Sequence, residues 1–153
     1  MIVDSTANDF FVRQTMPGEL LLLSIPLDSV KCYQMGVLYP FRDEFILDNL
    51  ELNVLRKQIS DYNEVIIALA DEYNLALVRA DQFYSKLADG FAYNGVTISA
   101  KFVSGGSYSL DGVQLNPRGN ALLANEFIKA INSAYHARIP QVNVVATNGA
   151  IFP

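Results

Sequence analysis

Asp111 and Gln114 stand three residues apart in the stretch "SLDGVQLNPRGNALLANEFIKAIN", which runs from Ser109 to Asn132. Two such side chains in a turn before a helix can be presented together at the carboxyl edge of a parallel sheet, where ligand sites gather. Asp111 can orient a base and stabilise its positive form. The Gln114 amide can hold a water or a ligand carbonyl, but it has no nitrogen that titrates near neutral pH. The pair therefore predicts hydrogen bonding at this position and not proton transfer.

The second half of the same stretch has the pattern of a helix. Asn116 is a typical N-cap residue and Pro117 suits the first helical position, so the helix is predicted to begin there and to run to about Tyr135. Its predicted buried stripe consists of Leu123, Phe127, Ala130, Ile131 and Ala134.

This stretch resembles the C-terminal block of the SGNH/GDSL hydrolases, which are serine esterases and lipases built on a flavodoxin-like α/β/α sandwich. In one bacterial branch the block is close to "SLDGVHPNPRGYALIANEFIKAIN". The matching residues are Asp111, Gly112, Val113, Asn116, Pro117, Arg118, Gly119, Ala121, Leu122, Ala124, Asn125 and Glu126. The resemblance extends upstream through "GELLLLSIPLDSVKC", the long helix, "NLALVRAD" and the segment 93–97.

The resemblance implies a role for each residue at the start of the block. Asp111 takes the position of the triad acid, and Gln114 takes the position of the triad histidine without being able to act as a base. Asn116 and Arg118 are binding candidates, and Arg118 is otherwise expected at the surface or beside a carboxylate. His136, about 22 residues beyond Gln114 or roughly 33 Å along a straight helix, is expected to be a solvated helix-terminal residue.

The family's Gly-Asp-Ser nucleophile block is not found in this sequence. Ser5 in "IVDS" follows an Asp, but Val3 stands in place of the glycine, and "TAND" at 6–9 lacks the glycine of the family's oxyanion block. Asp4, Ser5, Asn8 and Asp9 are interpreted as turn and cap residues. We therefore expect the chain to correspond to the C-terminal half of the family's domain, in a partial three-layer α/β sandwich with parallel strands.

Four hypotheses about function follow. The first is a fragment or degenerate relative of a GDSL-type esterase without independent catalysis. The second is a binding or structural module that holds a small acyl or sugar ligand with the 27–46 loop, the 93–103 flap and the Asp111/Gln114 edge. The third is an esterase with an unconventional nucleophile, drawn from Ser5, Ser104, Ser107 and Ser109. The fourth is an unrelated α/β domain with a coincidental match.

Two helices and one hairpin have clear local signals. Asp48 and Glu51 have the spacing of a capping box before a helix predicted over 49–73, which ends at Asn74. That helix carries an apolar stripe at alternating steps of four and three: Leu55, Ile59, Tyr62, Ile66, Leu69 and Tyr73. A short helix is predicted from Asp81 to about Ala88, stopped by Gly90, and Asn94-Gly95 predicts the turn of an inserted β-hairpin at about 93–103.

Three apolar runs are predicted as strands: Leu20–Leu23, buried on both faces of a parallel sheet, then Leu75–Val78 and Val142–Val145. Residues 27–46 show no period and are predicted as a loop. An open sheet with exposed strand edges pairs with other chains. We therefore expect a homo-oligomer that buries Leu20–Leu23 or Leu75–Val78.

Composition limits the classes of protein. A chain of 153 residues with 51% hydrophobic residues predicts one folded domain over 1–153. The net charge of −5 disfavours nucleic acid as a partner. No run is long enough to span a membrane, and the first eleven residues do not form a signal peptide, so export is implied by the resemblance alone.

Metal and cofactor sites have no signal in the sequence. Cys32 is the single cysteine, so it predicts no internal disulfide and no cysteine metal cluster, and it is interpreted as a buried or inert thiol. No metal-ligand spacing or phosphate loop is present, and no cofactor is expected. The expected partner is an acyl-ester or other small-molecule ligand.

Overall fold

The computed structural model describes residues 1–4 and 11–149. Of the residues that the sequence assigns to turns and caps, Asp4 is described, whereas Ser5, Asn8 and Asp9 lie outside the described residues. The chain combines helices with short antiparallel strand pairs, which confirms the mixed α/β class. It divides into two compact units, Met1–Val65 and Ile66–Pro153, and each is described by itself.

The first unit contains short helices and strands, and its four strands form two antiparallel pairs. Strand β1 pairs with β2, and β3 pairs with β4. Its elements are β1 (Ile2–Val3), β2 (Val12–Arg13), β3 (Leu20–Leu21), α1 (Leu27–Lys31), a 3-10 turn (Asp43–Phe45) and β4 (Ile46–Leu47). The predicted loop over 27–46 therefore contains a helix and a 3-10 turn and reaches a strand.

Arg13 holds the first unit together electrostatically. Its Nε lies 2.5 Å from Asp4 Oδ2, and its Nη2 lies 2.5 Å from Glu19 Oε1. Glu19 also accepts a hydrogen bond from the Met16 amide at 2.7 Å. The guanidinium lowers the pKa of Glu19 by direct hydrogen bonding. The Glu19 side chain is only 2% exposed, and this pairing is what a buried carboxylate requires.

The long helix α2 (Asn49–Glu72) follows its prediction closely. The Asp48 carboxylate accepts from the Glu51 amide at 2.8 Å, and the Glu51 carboxylate accepts from the Asp48 amide at 3.1 Å. This reciprocal pair is the predicted capping box. Asn74 takes a left-handed φ of 51° just beyond the end, as expected for a helix stop.

The second unit contains two helices and a hairpin, and these elements position the candidate site residues. Helix α3 (Ala80–Asp89) ends at Gly90, and the hairpin of β5 (Phe91–Tyr93) and β6 (Val96–Ile98) turns at Asn94-Gly95, where both residues have positive φ. The predicted hairpin is confirmed, although its second strand stops at Ile98. Helix α4 (Pro117–Tyr135) completes the unit. The core consists of Phe83, Leu87, Ile98, Ala121, Leu122 and Val144.

One of the three predicted strands forms: Leu20–Leu21 is strand β3, but it pairs antiparallel and not in a parallel sheet. The pairs β1–β2, β3–β4 and β5–β6 are all antiparallel. Leu20 and Leu21 are about half exposed, and the run is not buried on both faces. The segments Leu75–Val78 and Val142–Val145 form no strand, because other groups bind their backbones. The Leu75 amide donates to Ala70 O at 2.8 Å, and the Ala76 amide donates to Tyr135 Oη at 3.1 Å.

The buried face of α4 differs from the predicted stripe. Its buried residues are Gly119, Ala121, Leu122 and Asn125. Phe127 and Ala134, which were predicted to be buried, are exposed. The reason is that glycine and asparagine face the core here, and a pattern of large apolar residues does not include them.

Two further features concern solvent exposure. Cys32 is an exposed free thiol, so its predicted burial is wrong. No helix among the described residues combines the length and the apolarity that crossing a bilayer requires.

Two asparagines of α4 bind the backbone of the segment that returns along the helix. Asn125 donates from Nδ2 to Val142 O at 2.9 Å, and its Oδ1 accepts from Val142 N at 2.7 Å. Asn132 makes the same pair of bonds with Ile139, both at 2.9 Å. Asn125 is only 2% exposed, whereas the bonds of Asn132 lie at the surface. Each amide therefore replaces the strand neighbour that the segment lacks.

Substitution of Asn125 and of Asn132 compares how much their hydrogen bonds contribute to the free energy of unfolding. We expect Asn125→Ala to lower the free energy of unfolding by about 1–3 kcal/mol, since it leaves partly buried backbone groups of Val142 unpaired. Asn132→Ala is the matched control and should cost less, because water can replace its bonds. Urea unfolding followed by circular dichroism measures both values. Equal losses would contradict the assignment of Asn125 as the buried anchor.

Candidate functional site

Asp111 lies in a closed turn that it stabilises itself. Its Oδ1 accepts hydrogen bonds from Ser109 Oγ at 2.5 Å, from Val113 N at 2.9 Å and from Gln114 N at 2.9 Å. The Ser109 hydroxyl, and then the two backbone amides, lower the pKa of Asp111. The carboxylate is exposed, and it acts on its own loop as in an Asx turn.

Gln114 meets Asp111 through its backbone and not through its side chain. Its amide nitrogen donates to Asp111, and its carbonyl accepts from Ser109 N at 2.8 Å. The residue is exposed to solvent. The structure thus brings the two predicted residues into one turn, but their side chains do not form an acid–base pair.

Asn116 uses its polar atoms to start α4. Its Oδ1 accepts from Gly119 N at 2.9 Å, which confirms the predicted N-cap. Its Nδ2 donates to Tyr108 O at 3.3 Å, and its amide donates to Ser107 O at 2.9 Å. Asn116 is buried, so the polar atoms that could have bound a ligand bind the protein instead.

Arg118, which was expected at the surface or beside a carboxylate, is half-buried and binds a backbone carbonyl. Its Nε donates to Thr147 O at 3.2 Å. Its guanidinium lies beside Gly106 and Gly149, where an added Cβ would come 3.5 Å from Nη1. The side chain therefore holds the segment after α4 near the start of that helix.

The candidate nucleophiles are placed differently from one another. Ser107 is fully buried, and its Oγ donates to Ser99 O at 2.5 Å. The Ser109 hydroxyl donates to Asp111, while Ser104 is exposed and Ser5 lies outside the described residues. His136 is exposed at the left-handed C-cap of α4, in agreement with the predicted helix-terminal role.

The second unit contains a cleft of about 480 Å³ that the sequence analysis did not predict. Its apolar lining includes the aromatic rings of Phe83, Phe91 and Tyr93, together with Leu122 of α4. The segment before α3, the helix α3, the hairpin and α4 each contribute residues. A volume of this size is in the range of small-molecule sites.

Three cationic side chains and one carboxylate line the same cleft: Arg79, Lys86, Lys129 and Glu126. Arg79 bonds to Asp81 through two nitrogens, at 3.0 and 2.6 Å, and Lys129 lies 2.7 Å from Glu126. The Lys86 ammonium lies 4.6 Å from the centroid of the Phe91 ring. Arg79 and Lys129 are thus each paired with a carboxylate, and Lys86 brings its positive charge to the aromatic wall, in a chain whose net charge is −5.

The cleft had one recognisable signal in the sequence. Leu122, Asn125, Glu126 and Lys129 follow one another at helical spacing and share a face of α4. That face mixes apolar, amide and charged residues, unlike an ordinary core face. Asp111, Gln114, Asn116 and Arg118 do not line this cleft, so the predicted site and the cleft are different places.

In the described part of the chain, no three His, Cys, Asp or Glu side chains gather in a way that could hold a metal ion. Comparison of the chain with protein-family models, with curated proteins and with solved structures finds no match. The SGNH/GDSL resemblance therefore depends on the quoted residues alone.

The turn at Asp111 has a measurable pH dependence. Because its folded pKa is lowered, the contribution of the turn to stability is present above the ordinary carboxyl pKa and is lost as pH falls through the folded value. We expect Ser109→Ala to raise the Asp111 pKa toward its ordinary value in a carboxyl NMR titration. Ser85→Ala, an exposed serine of α3, is the control and should leave it unchanged. An Asp111 pKa that is the same in both variants would contradict the role of the Ser109 hydroxyl.

Proposed function

We propose that this chain is a GDSL-related module that does not hydrolyse esters by itself. The observation that carries the proposal is the closed turn at Asp111, whose Oδ1 accepts three hydrogen bonds from its own loop. A triad acid must use its carboxylate to orient a base. In this chain the residue at the base position is Gln114, and only its backbone contacts the carboxylate.

The remaining residues of the family-like pattern also support a module without catalysis. Asn116 caps α4, Gly119 lies against the Ser107 carbonyl, and Asn125 binds the returning segment. Each of these residues has a structural use in the second unit. The family-like pattern therefore supports folding whether or not a histidine stands at position 114.

The proposal includes the finer fold. The order of a long helix, a hairpin, an Asp-Gly turn and a final helix favours the C-terminal part of a flavodoxin-like sandwich. The three antiparallel pairs would then be additions to that sandwich. Its parallel sheet would need further strands, because β1 to β6 of the described residues all lie in antiparallel pairs.

A fluorophosphonate probe for activated serines tests the loss of catalysis. We expect no stoichiometric adduct by intact mass and no turnover of short-chain nitrophenyl esters. The Ser109 hydroxyl donates to Asp111, a carboxylate whose lowered pKa makes it a weak base, and the Ser107 hydroxyl donates to a backbone carbonyl. An active serine hydrolase labelled in parallel is the control for the probe. A single labelled serine, with labelling lost on Asp111→Ala, would overturn the proposal and identify the nucleophile.

A second candidate function is the binding of a small amphipathic anion in the cleft of the second unit. The specific observation is the combination of an aromatic wall with cationic residues at its edge. An acyl chain with a carboxylate head matches both features, because the chain can cover the rings and the head can approach Lys86. This ligand class agrees with the acyl ligand that the resemblance implies.

Titration calorimetry with dodecanoate, below its micelle concentration, tests the second candidate. We expect Lys86→Gln to weaken binding by roughly three- to tenfold, the effect of losing one charge contact near the surface. Lys101→Gln makes the same charge change outside the cleft and should have no effect. Equal affinity for dodecyltrimethylammonium, or no change on Lys86→Gln, would contradict the assignment.

A further inference from the structure

The apolar stripe of α2 is exposed along most of the helix. Its six residues are between 44% and 67% exposed: Leu55, Ile59, Tyr62, Ile66, Leu69 and Tyr73. Steps of four and three residues give a period of 3.5, the spacing of the a and d positions in a coiled coil. A contiguous exposed stripe of large apolar side chains is typical of a surface that binds another protein.

The chain itself covers a different part of α2. Leu52 and Ala70 are its buried residues, at 4% and 8% exposure, and Asn63 and Ile67 are half-buried on the same side as Ala70. The a and d residues from Leu55 onward remain accessible. Burial within the chain therefore does not account for the stripe.

An antiparallel pair of α2 helices would give every stripe residue an apolar partner. Leu55 would lie opposite Tyr73 of the second copy, Ile59 opposite Leu69, and Tyr62 opposite Ile66. In the antiparallel pair no tyrosine lies opposite a tyrosine. A parallel pair in register would place Tyr62 opposite Tyr62 and Tyr73 opposite Tyr73. Val65, a further exposed apolar residue at a g position, would meet Val65 of the second copy across the two-fold axis.

The charges of α2 favour the same orientation. Its first half carries one carboxylate, Glu51, and two cations, Arg56 and Lys57, whereas its second half carries four carboxylates: Asp61, Glu64, Asp71 and Glu72. An antiparallel pair sets Arg56 and Lys57 of one helix at the level of Asp71 and Glu72 of the other. A parallel pair would place the four carboxylates of each helix side by side. The opposed helix dipoles also favour the antiparallel pair.

We propose that the exposed face of α2 is a self-association surface, which pairs antiparallel with α2 of a second copy of this chain. Seven apolar side chains per helix would be covered, which brings the buried area to the order of 1,000 Å² that a specific interface needs. The interface differs from the strand edges predicted from sequence. It does not depend on the proposed enzymatic ancestry or on the cleft.

Sedimentation equilibrium of the full chain tests self-association. We expect a mass of twice 16.9 kDa, and Ile66→Glu should weaken the dimer by more than about tenfold, since it buries an unpaired charge opposite Tyr62. Val54→Glu is the matched control, an exposed apolar residue of α2 off the stripe, and should leave the dimer intact. Circular dichroism confirms that both variants are folded. A monomer at all concentrations, or a dimer insensitive to Ile66→Glu, would overturn the proposal.

Cysteine crosslinking tests the orientation. In a Cys32→Ser background, Val65→Cys should form a disulfide dimer on mild oxidation, because position 65 meets its copy in the antiparallel pair. Ile66→Cys should not, since a positions meet their own copies only in a parallel pair. Crosslinking at 66 and not at 65 would overturn the antiparallel assignment.

Discussion

The first turn of α4 lies against the backbone of Ser107, and this contact organises the second unit. Gly119 allows the approach, because a Cβ at that position would come 2.2 Å from the Ser107 carbonyl oxygen. Asn116 caps the helix. Its amide donates to the Ser107 carbonyl, and its side chain donates to the Tyr108 carbonyl. The Ser107 hydroxyl in turn donates to Ser99 at the end of the hairpin. One glycine and two short polar side chains, those of Asn116 and Ser107, thus connect α4 to the hairpin, and a larger residue at 119 would separate them.

This contact shows that residues of the family-like pattern serve the folding of the second unit. Asp111 closes the turn that delivers the chain to α4, and Asn116 starts the helix. These tasks need hydrogen-bond acceptors at fixed positions, and none of them needs a titratable base. Position 114 contributes only its backbone to the turn, so a histidine or a glutamine fits there equally well. The hydrogen bonds of the turn therefore require no histidine at position 114.

Polar residues also shape the surfaces available for binding. Asn125 binds the backbone of Val142 from the buried face of α4, and it lines the cleft beside Leu122. The cleft consequently has a rigid polar edge next to its aromatic wall. The exposed face of α2 differs from the cleft, because it is apolar and periodic, and the two halves of this helix carry net charges of opposite sign. A small ligand suits the first surface, and an extended helix suits the second.

The sequence by itself determined the elements whose signals are local. The capping box at Asp48 and Glu51, the Asn94-Gly95 turn and the Asn116 cap were all predicted, because a few adjacent residues decide each of them. The pairing of apolar runs was not predicted, since a run such as Leu75–Val78 can be a strand or can give its amides to a helix end and a tyrosine. The cleft was not predicted either, because its lining comes from four separate segments. Tertiary structure decided which face of α4 is buried and which stripe of α2 stays exposed, since both depend on contacts between residues distant in the chain.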